Sequence, residues 1–155
     1  MTAARGEQRL RRKGQGFIIT LGRTQVEEMY AHAREASPAE CCGLVGGTAG
    51  RAATVYRLRN VAREPLTAYE AAPEELFAAQ RRMRERGQQL LAIYHSHPRA
   101  SAPTPSERDV QLAFYPSAVY FIIGFEASGA CVLRAFRIKE REGSWTSADF
   151  RVDEG

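Results

Sequence analysis

Two histidines separated by a single residue, His95 and His97, have the clearest capacity for chemistry in this sequence. In an extended segment side chains alternate sides, so both imidazoles project from one face and can share a cation. Asp109 follows Ser106 by three residues, which puts both on one face of a helix that begins at the serine. Two imidazoles and a carboxylate suit zinc, and three protein ligands leave one tetrahedral position open. The spacing predicts one catalytic Zn²⁺ per chain, held by His95, His97 and Asp109.

Ser106 and Asp109 also fit a reading that needs no metal. Serine at the N-cap with an acid three residues later is a capping arrangement, and a first-turn acid complements the helix dipole. The two roles are compatible, because a capped helix start would aim Asp109 rigidly at the metal. A His-x-His pair alone also occurs in structural strands, so the prediction depends on Pro98 and the later Ser-x-x-Asp as well.

Glu40 is a further candidate site residue because it stands at the start of an apolar segment. A carboxylate beside buried surface costs energy unless a partner takes up its charge. An exposed glutamate at a strand edge is the alternative. Glu35 is the other candidate glutamate. It lies within the preceding predicted helix, and this position favours it less than Glu40 as a site residue.

The elements that must position these residues can be read from apolar patterning. Residues 90–95 form a continuous apolar run, typical of a strand buried on both faces that delivers the histidines at its end. Thr24 with Glu27 predicts a capping box for the first helix. The pattern predicts an α/β domain with a central mixed β-sheet flanked by helices. Predicted strands cover 17–21, 40–47, 52–58, 90–95, 118–125, 131–138 and an edge strand at 145–152, and predicted helices cover about 24–36, 73–86 and 106–113.

The motifs resemble those of a known family. The run HSHP at 95–98, Ser-x-x-Asp at 106–109 and the upstream segment ECCGL at 40–44 look like the JAMM (MPN-plus) zinc metalloproteases, especially the compact bacterial members. The resemblance covers roughly residues 17 to 139. This chain has eight residues between His97 and Ser106 where the family pattern has seven. The additional residue falls in a proline-containing loop, where insertions are readily absorbed.

The resemblance implies a single MPN/JAMM-like domain over residues 17–155 and a zinc-dependent peptidase or isopeptidase. It assigns the general base to Glu40 and an oxyanion hydrogen bond to Ser106. The implied substrate bond follows the C-terminal glycine tail of a ubiquitin-like or sulfur-carrier protein, with the tail extended against a strand edge. The alternative is a non-catalytic scaffold of the same fold. Such members usually lose ligands, whereas this chain keeps all five positions.

Charge and composition limit the other function classes. The chain has 155 residues and a net charge of +4, but residues 1–16 hold five of its 22 basic and one of its 18 acidic side chains. The remainder is neutral, so we expect a disordered basic tail at 1–16. A nucleic-acid-binding arm is the alternative, and no aromatic residue interleaves the basic ones. We therefore expect no nucleic-acid partner.

No apolar run is long enough to span a membrane or to serve as an export signal, so we expect no membrane partner and a cytoplasmic protein. Three cysteines are expected to be reduced, buried thiols, with Cys41 and Cys42 on opposite faces of a strand. Trp145 and the late strands are the candidate surface for a homodimer. His32 is expected at the surface, and Tyr69 and Tyr115, beside the expected cleft, are given no role in the site.

Overall fold

A computed structural model describes residues 18–154 of the chain. The predicted basic tail at 1–16 lies outside the described residues, as does Phe17 at the start of the first predicted strand. No helix within 18–154 is long and apolar enough to cross a membrane.

The strands of the described chain form one mixed sheet. They are β1 (Ile19–Gly22), β2 (Cys42–Thr48), β3 (Arg51–Leu58), β4 (Gln89–Ser96), β5 (Val119–Phe125), β6 (Cys131–Lys139), β7 (Ser144–Ala148) and β8 (Phe150–Asp153). Their order across the sheet is β7-β6-β5-β4-β2-β3-β1-β8. β2 and β3 form the predicted hairpin, and β4 lies antiparallel to β2 and parallel to β5. The strand that ends at the histidines is therefore central.

The last two strands bring the edges of the sheet together. β7 pairs with β6 at one edge, whereas β8 pairs with β1 at the other. Only Asp149 separates these strands along the chain, so the edges meet at this corner and the sheet curls. The prediction of one edge strand at 145–152 is wrong, because the chain crosses from one edge to the other at Asp149.

Helices cover both faces of the sheet. They are α1 (Arg23–Ala36), α2 (Pro73–Glu85) and α3 (Glu107–Gln111). α1 packs on one face through Met29 and Ala33, and α2 and α3 pack on the other through Met83 and Val110. Each face therefore has its own apolar cluster, and the predicted α/β domain with a helix-flanked mixed sheet is confirmed.

The first helix begins one residue before its predicted start. α1 starts at Arg23, and the side-chain oxygen of Gln25 accepts a hydrogen bond from the Gly22 N–H at 2.6 Å. Thr24 already lies inside the helix, so the predicted Thr24–Glu27 capping box is wrong. The local contact between Gln25 and Gly22 takes the place of that box.

The cysteines are free thiols. Cys41 packs in the apolar cluster under α1, and Cys42 packs in the cluster on the opposite face. The alternation predicted for this pair is confirmed. Cys131 is half-buried, so it is less enclosed than expected.

Candidate metal centre

The two histidines lie at the carboxyl end of β4. His95 is fully buried within the strand, and His97 follows it, with its backbone N–H donating to the Ile123 carbonyl of β5 at 2.8 Å. Their Nε2 atoms are 3.1 Å apart, as expected for residues two apart on one strand face. The sheet therefore fixes both rings before any other part of the site is added.

Asp109 reaches the histidines from the short helix α3. Its Oδ2 atom lies 3.0 Å from Nε2 of His95 and 3.0 Å from Nε2 of His97. The Ser106 hydroxyl accepts from the Asp109 N–H at 3.1 Å, and the Ser106 N–H donates to Asp109 Oδ2 at 2.9 Å. The predicted cap is therefore present together with the convergence of Asp109 on the two rings.

The loop at 98–105, which joins His97 to Ser106, packs on β5 and β6. Phe125 N–H donates to the Ala100 carbonyl at 2.9 Å, and the Arg134 guanidinium donates to the Pro103 carbonyl at 3.2 Å. A Cβ at Gly124 would lie 2.3 Å from the Ala100 oxygen, so only glycine admits this approach. The loop therefore still delivers Asp109 to the histidines.

Glu40 is buried beside these residues, two positions before β2. Its carboxylate and the ring nitrogens of His95 and His97 lie within 4.8 Å of one another. Among the residues that the structure describes, none hydrogen-bonds to its Oε1 atom. Glu35 is exposed and pairs with Arg57, so Glu40 is the glutamate that the fold brings to the histidines.

The carboxylates of Asp109 and Glu40 thus lie at different distances from the same two imidazoles. Asp109 is within contact distance of both rings, whereas the Glu40 carboxylate makes no hydrogen bond to either ring. The Asp109 carboxylate therefore closes a triangle with the two Nε2 atoms, and the Glu40 carboxylate lies beside the same rings without hydrogen-bonding to them.

The charges of the centre are set by burial and by Asp109. Burial lowers the pKa of His95, whereas at His97 the hydrogen bond and charge of Asp109 outweigh burial and raise the pKa. Burial opposes ionisation of Asp109, but hydrogen bonds to both rings hold its pKa well below the usual range. Burial raises the pKa of Glu40 to about 7, a rise that nearby His97 opposes. At neutral pH Asp109 is thus ionised next to the two histidine rings, and its negative charge favours a cation at this centre.

Sequence reasoning missed one contact at this centre. The Tyr69 ring stacks on the His95 ring, with centroids 4.5 Å apart and planes 26° apart. Tyr69 belongs to the segment 59–72, whose sequence shows no periodic pattern, so no local signal indicated this contact. Tyr115 remains outside the site and donates its backbone N–H to the Tyr120 hydroxyl.

The surface prediction for His32 is wrong. This histidine is half-buried, and its Nδ1 lies 2.7 Å from the hydroxyl of Tyr94, which points away from the site on β4. Burial lowers the pKa of His32 to about 4, and the positive charge of Arg57 acts in the same direction. His32 is thus a neutral packing residue whose partner is 62 positions away, beyond the reach of local sequence patterns.

Comparisons with known proteins give the family of this chain. Residues 23–139 match the family described as prokaryotic homologues of the JAB domain. A probable TtuB-protein conjugate cleaving protease of Thermus thermophilus is 38% identical over 125 residues, covering 81% of this chain and 79% of the relative. The CysO-cysteine peptidase of Mycobacterium tuberculosis is 34% identical over 131 residues, covering 83% and 88%. The desampylase of Haloferax volcanii is 36% identical over 110 residues, covering 67% and 78%.

Solved structures show the same fold. A protein from Desulfitobacterium hafniense superposes with a TM-score of 0.76 at 37% identity, covering 89% of this chain and 94% of that chain. A structure described as a JAMM metalloprotease-like zinc site superposes with a TM-score of 0.55 at 16% identity, covering 89% and 100%. The MPN/JAMM-like fold expected from the sequence is therefore confirmed.

Proposed function

Since this chain belongs to the family of prokaryotic JAB-domain homologues, we propose that it is a zinc-dependent peptidase acting on ubiquitin-like or sulfur-carrier proteins. The bond cleaved is the amide that follows the C-terminal glycine tail of the carrier. Relatives named as a conjugate cleaving protease, a CysO-cysteine peptidase and a desampylase support this substrate class. The observation that carries the proposal is the convergence of Asp109 on the paired histidines, with Glu40 buried beside them.

The donor set fits zinc. Its three donor atoms form a triangle with edges of 3.1, 3.0 and 3.0 Å. Ligand atoms about 2.0–2.1 Å from a tetrahedral zinc lie about 3.3 Å from one another, so the triangle matches to within about 0.3 Å. His95, His97 and Asp109 would hold the ion and leave one position open. A bound zinc ion acidifies water and polarises a carbonyl group.

Glu40 serves as the proton carrier. It takes a proton from the attacking water and delivers it to the departing amine, so that the amide C–N bond breaks and the carrier regains its carboxylate. The unpartnered Oε1 and the pKa of about 7 suit this exchange near neutral pH. A cation at the ligand triad favours the ionised form of Glu40, which is the form able to accept the proton.

Ser106 stabilises the oxyanion. Its oxygen accepts from the Asp109 N–H, and the hydroxyl proton stays available to donate outward from an exposed side chain. A hydroxyl held at a helix start is pre-positioned, which is the requirement for an effective oxyanion donor. Capping and catalysis are thus two functions of one side chain.

We propose that the enzyme acts in the cytoplasm, where its free cysteines stay reduced. A homodimer through the late strands stays a prediction. Trp145 is 37% exposed on β7 and packs edge-to-face against Phe136, so part of its ring is available to a partner.

The test uses carrier proteins with a C-terminal glycine tail, either extended by one amino acid or joined to a lysine of a second protein. Each is incubated with the zinc-loaded chain, with and without a chelator, and the products are identified by mass spectrometry. We expect cleavage directly after the terminal glycine, its loss with the chelator, and its return with zinc. Glu40→Gln is the matched control, because it keeps the shape of the side chain but cannot accept the proton. Zinc-loaded Glu40→Gln protein that cleaves at the unmutated rate would refute the mechanism.

A further inference from the structure

The peptide group that follows Glu40 is held by two side chains from different parts of the chain. Asn60 Nδ2 donates to the Glu40 carbonyl at 2.9 Å. On the other side of the same peptide group, the Cys41 N–H donates to the Ser96 hydroxyl at 2.8 Å. Ser96 is fully buried and Asn60 is half-buried, so both bonds are shielded from water.

Glu40 needs this support because it lies outside the regular part of β2, which begins at Cys42. Its own N–H donates to the Pro65 carbonyl at 2.8 Å, so the peptide group before it is held as well. With both flanking peptide groups fixed, the φ and ψ angles of Glu40 are determined. The direction in which its side chain leaves the backbone is then determined too.

Asn60 uses the full hydrogen-bonding capacity of its amide. Besides the Glu40 carbonyl, Nδ2 donates to the Ala68 carbonyl at 3.0 Å. Its Oδ1 accepts from the N–H groups of Ala62 and Glu70 at 2.9 and 3.0 Å. These bonds hold together the two ends of the 60–70 loop, which contains Tyr69. The Asn60 amide therefore fixes both the Glu40 backbone and the loop whose Tyr69 ring stacks on His95.

Ser96 connects Glu40 to the histidines. It lies between His95 and His97 on β4, and because strand side chains alternate, its hydroxyl points away from the two rings. Its backbone N–H also donates to the Cys41 carbonyl at 3.2 Å. Ser96, between the two proposed ligands, thus makes two hydrogen bonds to Cys41, the residue after the proposed base.

We infer that Asn60 and Ser96 are positioning residues that clamp the Glu40–Cys41 peptide group and so aim the Glu40 carboxylate at the centre formed by His95, His97 and Asp109. The inference rests on the proposed function for its consequence in catalysis. The two hydrogen bonds that fix the peptide group do not depend on any substrate.

Four variants test the clamp. Ser96→Ala removes the acceptor of the Cys41 N–H, and Ser96→Thr keeps it. Asn60→Ala removes all four amide hydrogen bonds. Asn60→Asp keeps the two acceptor contacts but loses both Nδ2 donations, to the Glu40 and Ala68 carbonyls. Gln88→Ala is the matched control, since Gln88 is a half-buried amide directly before β4, at the end away from the histidines, that accepts from the Tyr56 hydroxyl and donates to Thr54.

With the zinc-loaded protein, we expect kcat to fall about 10- to 100-fold in Ser96→Ala, Asn60→Ala and Asn60→Asp, the range typical of residues that orient a catalytic group. KM and bound zinc per chain should change much less than kcat, and Ser96→Thr should restore most of kcat. Gln88→Ala should lower Tm to a similar extent but keep kcat. Unchanged kcat in Ser96→Ala and Asn60→Asp, or a loss that only follows lost zinc or lost folding, would overturn the inference.

A second measurement needs neither zinc nor substrate. In the metal-free protein, NMR should show the Cys41 amide protected from hydrogen exchange, and Ser96→Ala should accelerate its exchange at least about tenfold while the Ile93 amide is unaffected. Side-chain couplings of Glu40 should report one rotamer in the unmutated chain and averaging in both Ser96→Ala and Asn60→Asp. If the unmutated enzyme cleaves no carrier adduct, the proposed function is refuted and the clamp is not affected. Unchanged exchange and couplings would refute the clamp, whatever the enzyme cleaves.

Discussion

The candidate metal centre has a strand-borne half and a half carried by loops and the short helix α3, here called the loop-borne half, and the two are held in different ways. His95 and His97 come from the end of β4, where hydrogen bonds to β2 and β5 fix the backbone on both sides. Glu40, Tyr69 and Asp109 come from segments outside the regular strands. Each of those depends on specific side-chain or loop contacts, such as the Asn60 amide or the Arg134–Pro103 bond. The strand-borne half is therefore set by the fold, and the loop-borne half by individual polar contacts.

This difference separates what each half contributes. The histidines need only to be close together, and strand geometry provides that for any pair two residues apart. The base and the third ligand must approach from other parts of the chain, in directions that the sheet does not define. Loss of a histidine should thus remove the cation outright. Substitutions around the loop-borne half should change how well Glu40 and Ser106 act with the cation in place, and they should weaken zinc binding only where they move Asp109.

The largest effect is expected from the strand-borne half itself. His97→Ala removes one of the three proposed ligands, and we expect loss of stoichiometric zinc together with a fall in kcat of more than about 10³-fold, because water without the cation keeps its pKa of about 15.7. Zinc content and the rate of adduct cleavage are measured on the same sample. After treatment with a chelator, added zinc should restore the cleavage rate of the unmutated protein but not that of the variant. A variant that keeps zinc and full activity would place the ion elsewhere.

Ser106 offers the next largest effect, on the loop-borne side. Ser106→Ala removes the proposed oxyanion donor and the helix cap, so we expect kcat to fall about 10²- to 10³-fold and stability to fall by about 1 kcal/mol. Zinc content should be largely kept. Ser106→Thr retains a hydroxyl that can serve both roles, and it should recover activity and stability together. Recovery of stability alone would show that the hydroxyl acts only as a cap.

The two halves also differ in how far the sequence could predict them. The alternation in 95–97 and the apolar run before it were enough to predict a central strand with two histidines on one face. Asp109 could be predicted because a Ser-x-x-Asp cap is a local pattern. Tyr69 and Asn60 could not, since their role arises from contacts across the 60–72 loop and with β2 and β4. The failure at His32 has the same origin, because its partner Tyr94 lies on a distant strand.

Glu40 should make the metal-free protein sensitive to pH. Burial raises its folded-state pKa from the ordinary 4.5 to about 7, so the folded chain holds this proton more tightly than the unfolded chain. Its contribution to stability is therefore present below about pH 4.5 and is lost as pH rises towards 7. We expect Glu40→Gln to stabilise the metal-free protein at pH 8 by up to about 3 kcal/mol and to be nearly neutral at pH 4. Urea unfolding of both chains across this range measures the difference, and a difference independent of pH would contradict the burial argument.

Gly124→Ala tests how strongly the 98–105 loop depends on its packing against β5. A Cβ would lie 2.3 Å from the Ala100 oxygen and 2.8 Å from a Pro103 ring carbon, so the loop must move. We expect a loss of about 1–3 kcal/mol in stability and weaker zinc binding, because Asp109 follows this loop. Ser101→Ala, at an exposed position of the same loop, is the control. Unweakened zinc binding in Gly124→Ala would show that α3 is placed independently of the loop.

The smallest effect is expected on the face of β4 that points away from the site. Tyr94→Phe removes the hydroxyl that lies 2.7 Å from His32 Nδ1, and this should cost about 1 kcal/mol of stability. Tyr94 precedes His95 directly, yet the β2 and β5 hydrogen bonds hold the β4 backbone without its hydroxyl, so zinc content and kcat should stay unchanged. A cycle with His32→Gln separates the pair interaction from the cost of each single change. If Tyr94→Phe lowered kcat without loss of zinc, the strand-borne half would depend on side-chain contacts as the loop-borne half does, and the distinction between them would fail.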